Sequence, residues 1–531
     1  MNKVLGFIRP YHPQVYVAAL AMAVLGMPLS KVLISISMIL LFANWLVEGG
    51  LKEKMKLFFS NKIAVAVASL YLLHLIGLLW TTNFTYALKD LKTKLPLLLL
   101  PLILSSTPVL SEKNFRTVLH IFLFALFCET MVGVYNLYGF SGKIITNMRE
   151  MTSHVSHIRF SLMLCLGIFS VTYLTTKWKD EYSQQQKIMM GSLALWFMFF
   201  LFVLQSANGL IIFFIASLFS IFYGIIKTKN RVLKISFFSV IILSIVAAGL
   251  WLGSIVKNFY HVNEVNVAEL DSLTTLGNPY KHNMKDTRIE NGNRVGVYVS
   301  WEELEQAWNK RSDLKFDEKD KNGSLVCFTL ERFLTSKGYR KDAGGVAQLT
   351  DKDIAAIQSG VANYLYLDKL SFSDRIYEIL WEFEDYRTKG NPSGHSVMQR
   401  FEYWKAAVNI IKENKFFGVG TGDVALSYKE QYNKMNSPLS ENFRKRAHNQ
   451  YLTIGVTFGI FGFLWFLFSL LYPLVAYRFQ PGYIYLVFLI ITLLSFISED
   501  TLESQAGLTF FAFFNSFFLF CNTLLKADEH P

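Results

Sequence analysis

The chain has 531 residues, of which 52% are hydrophobic, 15% aromatic and only 17% charged. These proportions exclude an ordinary soluble domain, because the charges fall between long apolar runs in the manner of a polytopic membrane protein. A formal net charge of +12 raises nucleic acid as a partner, yet the basic residues lie mostly in short loops, where they set topology. No nucleic-acid partner is expected. Cys128, Cys165 and Cys521 fall in apolar runs and Cys327 stands alone in the large polar segment, so no disulfide forms within that segment.

Twelve apolar segments are predicted in chain order, at about 15–28, 31–48, 63–80, 93–107, 116–138, 157–175, 187–205, 207–227, 233–255, 450–476, 482–498 and 506–525. The first two form a hairpin broken at Pro28. The fourth carries Pro96 and Pro101 and is short enough to be re-entrant or interfacial. The first run begins near Val15 and is followed at once by another, so insertion is expected to rely on the spans rather than on a cleaved leader.

With the N-terminus inside, the short loops of one side hold seventeen Lys and Arg, those of the other side six. That bias puts both termini in the cytoplasm. The polar segment 256–449 then faces outward, into the periplasm of a Gram-negative cell. The expected fold class is an all-α polytopic membrane protein with about twelve transmembrane helices and one large, mainly helical periplasmic loop domain. Its parts are an N-terminal bundle of about nine helices at 1–255, an accessory insertion at 256–394, catalytic-loop helices at 395–449 and about three C-terminal helices at 450–531.

In the insertion, Ser300 with Glu303 and Thr350 with Asp353 predict capping boxes, and a helix is predicted over 372–387. No chemistry is legible there. From His395 an amphipathic helix is predicted, with Val397, Phe401, Trp404, Val408 and Ile411 on one face and Arg400 beside it. The turn Gly418-Val419-Gly420-Thr421-Gly422 lacks the Lys and Ser/Thr of a phosphate loop, and reads as a backbone turn that lets the helix dock closely. His448-Asn449 stands directly before a run long enough to cross a bilayer.

Together, the arginine-led helix, the GVGxG turn and the HNxYL start of a late membrane helix resemble the signature domain of the O-antigen ligase and lipid-linked polysaccharide polymerase superfamily. Ten residues separate His448 from Gly459, which is the histidine-to-glycine spacing of O-antigen ligases. The resemblance covers about 395–510, with a similar helix pattern upstream. It implies a GT-C-like membrane glycosyltransferase, independent of metal and cofactor, with a mid-chain arginine, a loop arginine and the histidine as its catalytic set. Here these are Arg159, Arg400 and His448. Met163 stands where the family has leucine, and the SANG of 206–209 lacks its Ser-Arg.

The outward ends of the segments support that placement. His154, His157 and Arg159 open the sixth and Ser206 the eighth, Glu499, Asp500 and Glu503 lie between the last two, and His448 opens the tenth. Ionisable groups at that depth are functional candidates. It is also where the diphosphate of an undecaprenyl-linked glycan donor sits among membrane lipid. Histidine accepts a proton near neutral pH, and arginine matches phosphate oxygens with a planar fork of donors. Arg444, Arg446, His157, Asn449 and Glu503 are candidates for binding the diphosphate or the acceptor. Glu499 and Asp500 are read as counter-charges or orienting groups.

The expected reaction is glycan transfer to a lipid A–core hydroxyl at the periplasmic face of the inner membrane. A polymerase or a protein O-oligosaccharyl ligase shares the motif domain. A transporter calls for charges at the bilayer midplane and two-fold repeats, and neither is present in the sequence.

Overall fold

The computed structural model describes residues 9–142, 148–321, 323–367, 372–478 and 482–521. The end of the twelfth predicted segment (522–525) and the loop cations Lys3, Lys143 and Lys526 lie outside these residues. The chain forms two compact units, Met1–Lys229 with Gln399–Pro531, and Asn230–Met398.

The first unit is helical. Its amino-terminal part contains α1 (His12–Leu29), α2 (Lys31–Val47), α3 (Leu51–Ser60), α4 (Lys62–Ile76), α5 (Phe84–Lys94), α6 (Pro96–Ser106), α7 (Glu112–Leu137), α8 (His157–Lys177), α9 (Gln184–Val203) and α10 (Ala207–Lys227). The second unit follows, with α11 (Arg231–Tyr260), α12 (Trp301–Arg311), α13 (Val326–Ser336), α14 (Ala343–Ala347), α15 (Asp351–Gln358) and α16 (Phe372–Lys389). The chain then passes along α17 (Ser396–Glu413) back into the first unit, with α18 (Val424–Lys434), α19 (Gln450–Ala476), α20 (Tyr483–Ser498) and α21 (Gln505–Phe520).

Eight described helices are long and apolar enough to cross a bilayer: α1, α4 with its extension to Trp80, and α7 to α11, together with α19. The chain is thus a multi-pass membrane protein. The expectation of about twelve spans is met only in part by that criterion. α2 and α3 qualify together but are bent by 113°, α20 and α21 have 16 residues each, and α6 has 11.

Local sequence explains most helix ends. Ser30 closes α1 and its hydroxyl accepts from Leu33 N at the start of α2, 3.3 Å away. Pro96 opens α6, where its missing N–H costs nothing. α21 is apolar all round, the signature of a buried helix, and every residue from Ala506 to Phe520 is buried. Phe517 stacks on Phe115 of α7 at 4.7 Å, and Phe488 of α20 packs among Phe510, Phe514 and Phe518. Met163 lies in the same core, fully buried. Swapping leucine for methionine conserves volume, so the core accepts it.

Polar contacts mark the two ends of this bundle. At one end His12 bonds Asn44 at 2.8 Å, Tyr16 lies 3.5 Å from Cys521 and Trp45 donates to Ser106 at 2.9 Å. At the other, Ser206 donates to Ser161 at 3.1 Å and Asn449 to the Ile497 carbonyl at 2.8 Å.

The second unit packs Leu304, Trp308, Leu330, Phe333 and Ile357 into its own core, beside a two-stranded hairpin, β1 (Ile289–Glu290) and β2 (Asn293–Arg294). The Thr350–Asp353 capping box forms, and α16 matches the helix predicted over 372–387. The Ser300–Glu303 box does not form. Glu303 instead turns to Thr274, to Asn278 at 2.8 Å and to the Ala343 amide at 3.1 Å, a richer set of donors than the helix start offers.

Candidate functional site

The site is built where α19 begins. Asn449 caps that helix, its Oδ1 accepting from Leu452 N at 3.0 Å. The chain is pinned on both sides of His448. Trp404 Nε1 donates to the Ala447 carbonyl at 3.0 Å, and Asn449 N donates to Asp500 Oδ1 at 2.9 Å. Held in this way, His448 takes φ +46°, a left-handed conformation that a non-glycine residue adopts at a cost and that clusters at functional sites. The Tyr403 ring lies 5.8 Å from the imidazole.

A buried carboxylate joins the expected catalytic groups. Glu499 Oε2 is 3.9 Å from His448 Nδ1, and Glu499 Oε1 is 3.6 Å from an Arg400 terminal nitrogen. These are ion-pair distances, too long for hydrogen bonds. Arg159 reaches the same group from α8. Its charge acts on both His448 and Glu499, one terminal nitrogen donates to Ser156 at 3.0 Å, and its buried Nε has no partner. His448, Arg400 and Arg159 are therefore brought together, with guanidinium donors left uncommitted.

Burial, above all, lowers the His448 pKa below its usual 6.5, and Arg400, Lys445 and Arg159 add to that against the opposing charge of Asp500. That direction favours the neutral imidazole. Burial raises the Glu499 pKa in spite of both arginines, and raises that of Asp500, where Glu503 acts in the same direction.

A second layer lies beside this one. Lys94, buried at 2% exposure, is 2.8 Å from Asp90 and 3.1 Å from Glu503. Arg446 donates to Glu503 at 2.8 Å, and Gln450 donates to it at 3.3 Å. Burial alone would raise the Glu503 pKa, but the two cations hold it well below the usual range. Glu503 and Arg446 thus serve as each other's counter-charges. Asn449 commits its amide to Asp500, its side-chain nitrogen to the Ile497 carbonyl and its side-chain oxygen to the start of α19. Arg444 lies further out, donating to Leu439 O at 3.0 Å and Asn433 Oδ1 at 2.7 Å. His157 opens α8, two residues from Arg159. Among the described residues no group of three or more His, Cys, Asp or Glu is arranged to hold a metal ion.

The glycine turn underpins the site. α19 breaks at Gly459 (φ +63°, ψ −161°), and the turn lies against the break. Val419 N donates to Val456 O and Gly420 N to Thr457 O, each at 2.9 Å, while Ile460 N donates to Lys415 O at 2.8 Å. These bonds replace the helical ones lost at the break, as irregular backbone in a membrane helix requires. A Cβ on Gly418 would lie 2.4 Å from the Thr457 backbone, and one on Gly459 2.4 Å from that of Phe416. On its far side the turn docks on the end of α4, where Thr421 donates to His74 O at 2.7 Å and Asp423 accepts from Thr82 N at 2.7 Å and Asn83 N at 2.9 Å.

Sequence reasoning missed Lys94, Asp90 and Tyr403. The lysine's only signal was its place in the loop side poor in positive charge, where six cations have no topological purpose.

Residues 354–467 match the family model described as O-Antigen ligase. No curated protein matches the chain. The matched stretch contains Arg400, the glycine turn, His448 and Gly459; Arg159 and Glu499 lie outside it. Over residues 354–467 the chain therefore carries a domain of the O-antigen ligase-like superfamily, whose members are glycosyltransferase-like enzymes acting on lipid-linked glycans.

Proposed function

We propose that this protein is an O-antigen ligase: it moves a preassembled glycan from undecaprenyl diphosphate to a hydroxyl of the lipid A–core at the periplasmic face of the inner membrane. The observation that carries this reading is the grouping of one imidazole and two under-bonded guanidinium groups around Glu499. The acceptor oxygen bonds to the anomeric carbon as that carbon's bond to the diphosphate oxygen breaks. The hydroxyl proton passes to His448, and the electron pair leaves with the undecaprenyl diphosphate. Arg159 and Arg400 hold the phosphates and meet the charge that develops there. Glu499 faces the imidazolium once it forms. The reaction needs no metal in this scheme.

Twelve crossings belong to the same proposal. Lys94, just before α6, bonds Glu503 at one end of the bundle, while Ser106, at the end of α6, bonds Trp45 at the other. This supports α6 as a full crossing despite its length.

The test is transfer in proteoliposomes holding lipid-linked glycan and lipid A–core. His448→Ala should abolish product while the protein stays folded, and Arg400→Ala should slow transfer by about 10²–10³-fold. Normal ligation by the histidine variant would remove the base. Growth of the lipid-linked chain, in place of its attachment to core, would make the protein a polymerase.

A further inference from the structure

Beside the catalytic loop lies a cavity of about 370 Å³, at the small end of ligand pockets and roomy enough for roughly one or two sugar rings. One wall is α18, with Tyr428, Lys429, Tyr432 and Asn433; the other is the segment leading to His448, with Arg444 and Lys445. The walls are set in advance. Tyr432 donates to the Lys445 carbonyl at 2.6 Å, and Arg444 is held by Leu439 and Asn433 with its guanidinium 5.9 Å from the centre of the Tyr432 ring. The Tyr428 and Tyr432 rings lie 6.1 Å apart and are only 3% and 1% exposed, so they form a packed floor rather than an open face.

The charge of the lining is one-sided. Lys429, Arg444, Lys445 and Arg446 face a single carboxylate, Glu441, and Arg446 is already matched by Glu503. Among the described residues, Lys429 and Lys445 have no ion-pair partner. Lys445 lies three residues from His448 and its charge acts on the imidazole, so the cavity is walled by the same segment that carries the proposed base.

We propose that this cavity is a subsite for an anionic sugar, phosphorylated or carboxylated, of one of the two glycan substrates. Its cations hold the anion while the neighbouring sugar reaches His448. The inference rests on the transferase reading and adds to it a preference for charge.

The probes are two fluorescent oligosaccharides, each with a neutral twin: phosphorylated core oligosaccharide before and after phosphatase, and a carboxylated repeat-unit oligosaccharide before and after reduction of its carboxylate. Binding is measured on the full-length protein in nanodiscs. In at least one pair the charged form should bind about 10-fold or more tightly than its twin, and Lys429→Gln/Lys445→Gln should erase that difference. The pair that responds identifies the source as acceptor or donor. Equal binding of both twins in both pairs overturns the proposal, and needs no variant to be seen. Displacement of the sugar by glycerophosphoglycerol at equal concentration also overturns it, since the cavity would then be a lipid headgroup site. His448→Ala should abolish transfer yet keep the charge preference. Loss of the preference with transfer intact in wild type would sink the subsite and leave the transferase standing.

Discussion

His448 combines two properties that a base at a membrane surface needs. Its backbone is fixed by bonds to the residues on either side, and its ring is kept neutral, chiefly by burial and then by the cations around it. The sign of the pH dependence follows. The base form exists above the folded pKa, which lies below 6.5, so kcat/KM should rise with pH along a limb below 6.5 and then level off. Arg159→Gln removes a charge that lowers the pKa and should move the limb upward; Asp500→Asn removes one that raises it and should move the limb downward. Opposite displacements in the two profiles are the expected result. A shared direction would mean that another group titrates. The three expected catalytic residues were legible because they stand in spaced motifs with unusual residue types for a membrane boundary. Lys94 and Tyr403 were not, since a lysine in a short loop or a tyrosine on an amphipathic helix has many commoner explanations.

At the scale of elements, the docked glycine turn and the break in α19 form one joint. Gly418 and Gly50 both have positive φ, +67° and +66°, but only Gly418 has backbone within 2.4 Å of where a Cβ would be placed; at Gly50 nothing lies within 4 Å. Gly50→Ala should therefore cost about 1–2 kcal/mol for its conformation alone. Gly418→Ala should cost clearly more and lower the thermal midpoint further, as measured by fluorescence of the purified proteins. Equal midpoints would show that the joint yields easily. α17 illustrates why apolar periodicity reads poorly here. The sequence pattern placed Val397, Phe401, Trp404, Val408 and Ile411 on one apolar face. Phe401 and Val408 are exposed, and Met398, Tyr403, Ala406, Ala407 and Ile410 are buried. Two interleaved apolar stripes cover this helix, so spacing alone does not tell which of them is packed. Small residues mark the packed side, because they allow close approach.

For the whole molecule, the apolar helices were readable from hydropathy, and eight of those described are long enough to cross a bilayer. α6, α20 and α21 have 11, 16 and 16 residues, and a short apolar helix is tolerated inside a bundle, where neighbours cover its ends and backbone groups. The orientation was inferred from charge bias alone, and it has a direct check. In a Cys327→Ser background, Lys352→Cys in the insertion should react with an impermeant maleimide added outside spheroplasts. Lys229→Cys, in the exposed loop between α10 and α11, should react only after the membrane is opened. The reverse pattern would put the insertion in the cytoplasm and remove the acceptor from reach.

The break at Gly459 also works as a ruler. Ten residues lie between it and His448, and most of them form a short helical post whose foot is clamped by the turn and whose head carries the imidazole. Each residue of helix advances about 1.5 Å and rotates about 100°. One residue gained or lost in the post would swing the imidazole to another side of the bundle, while leaving every proposed catalytic side chain present. Variation in this site must therefore come through the walls around the post, since its length is locked to the position of the imidazole at its head.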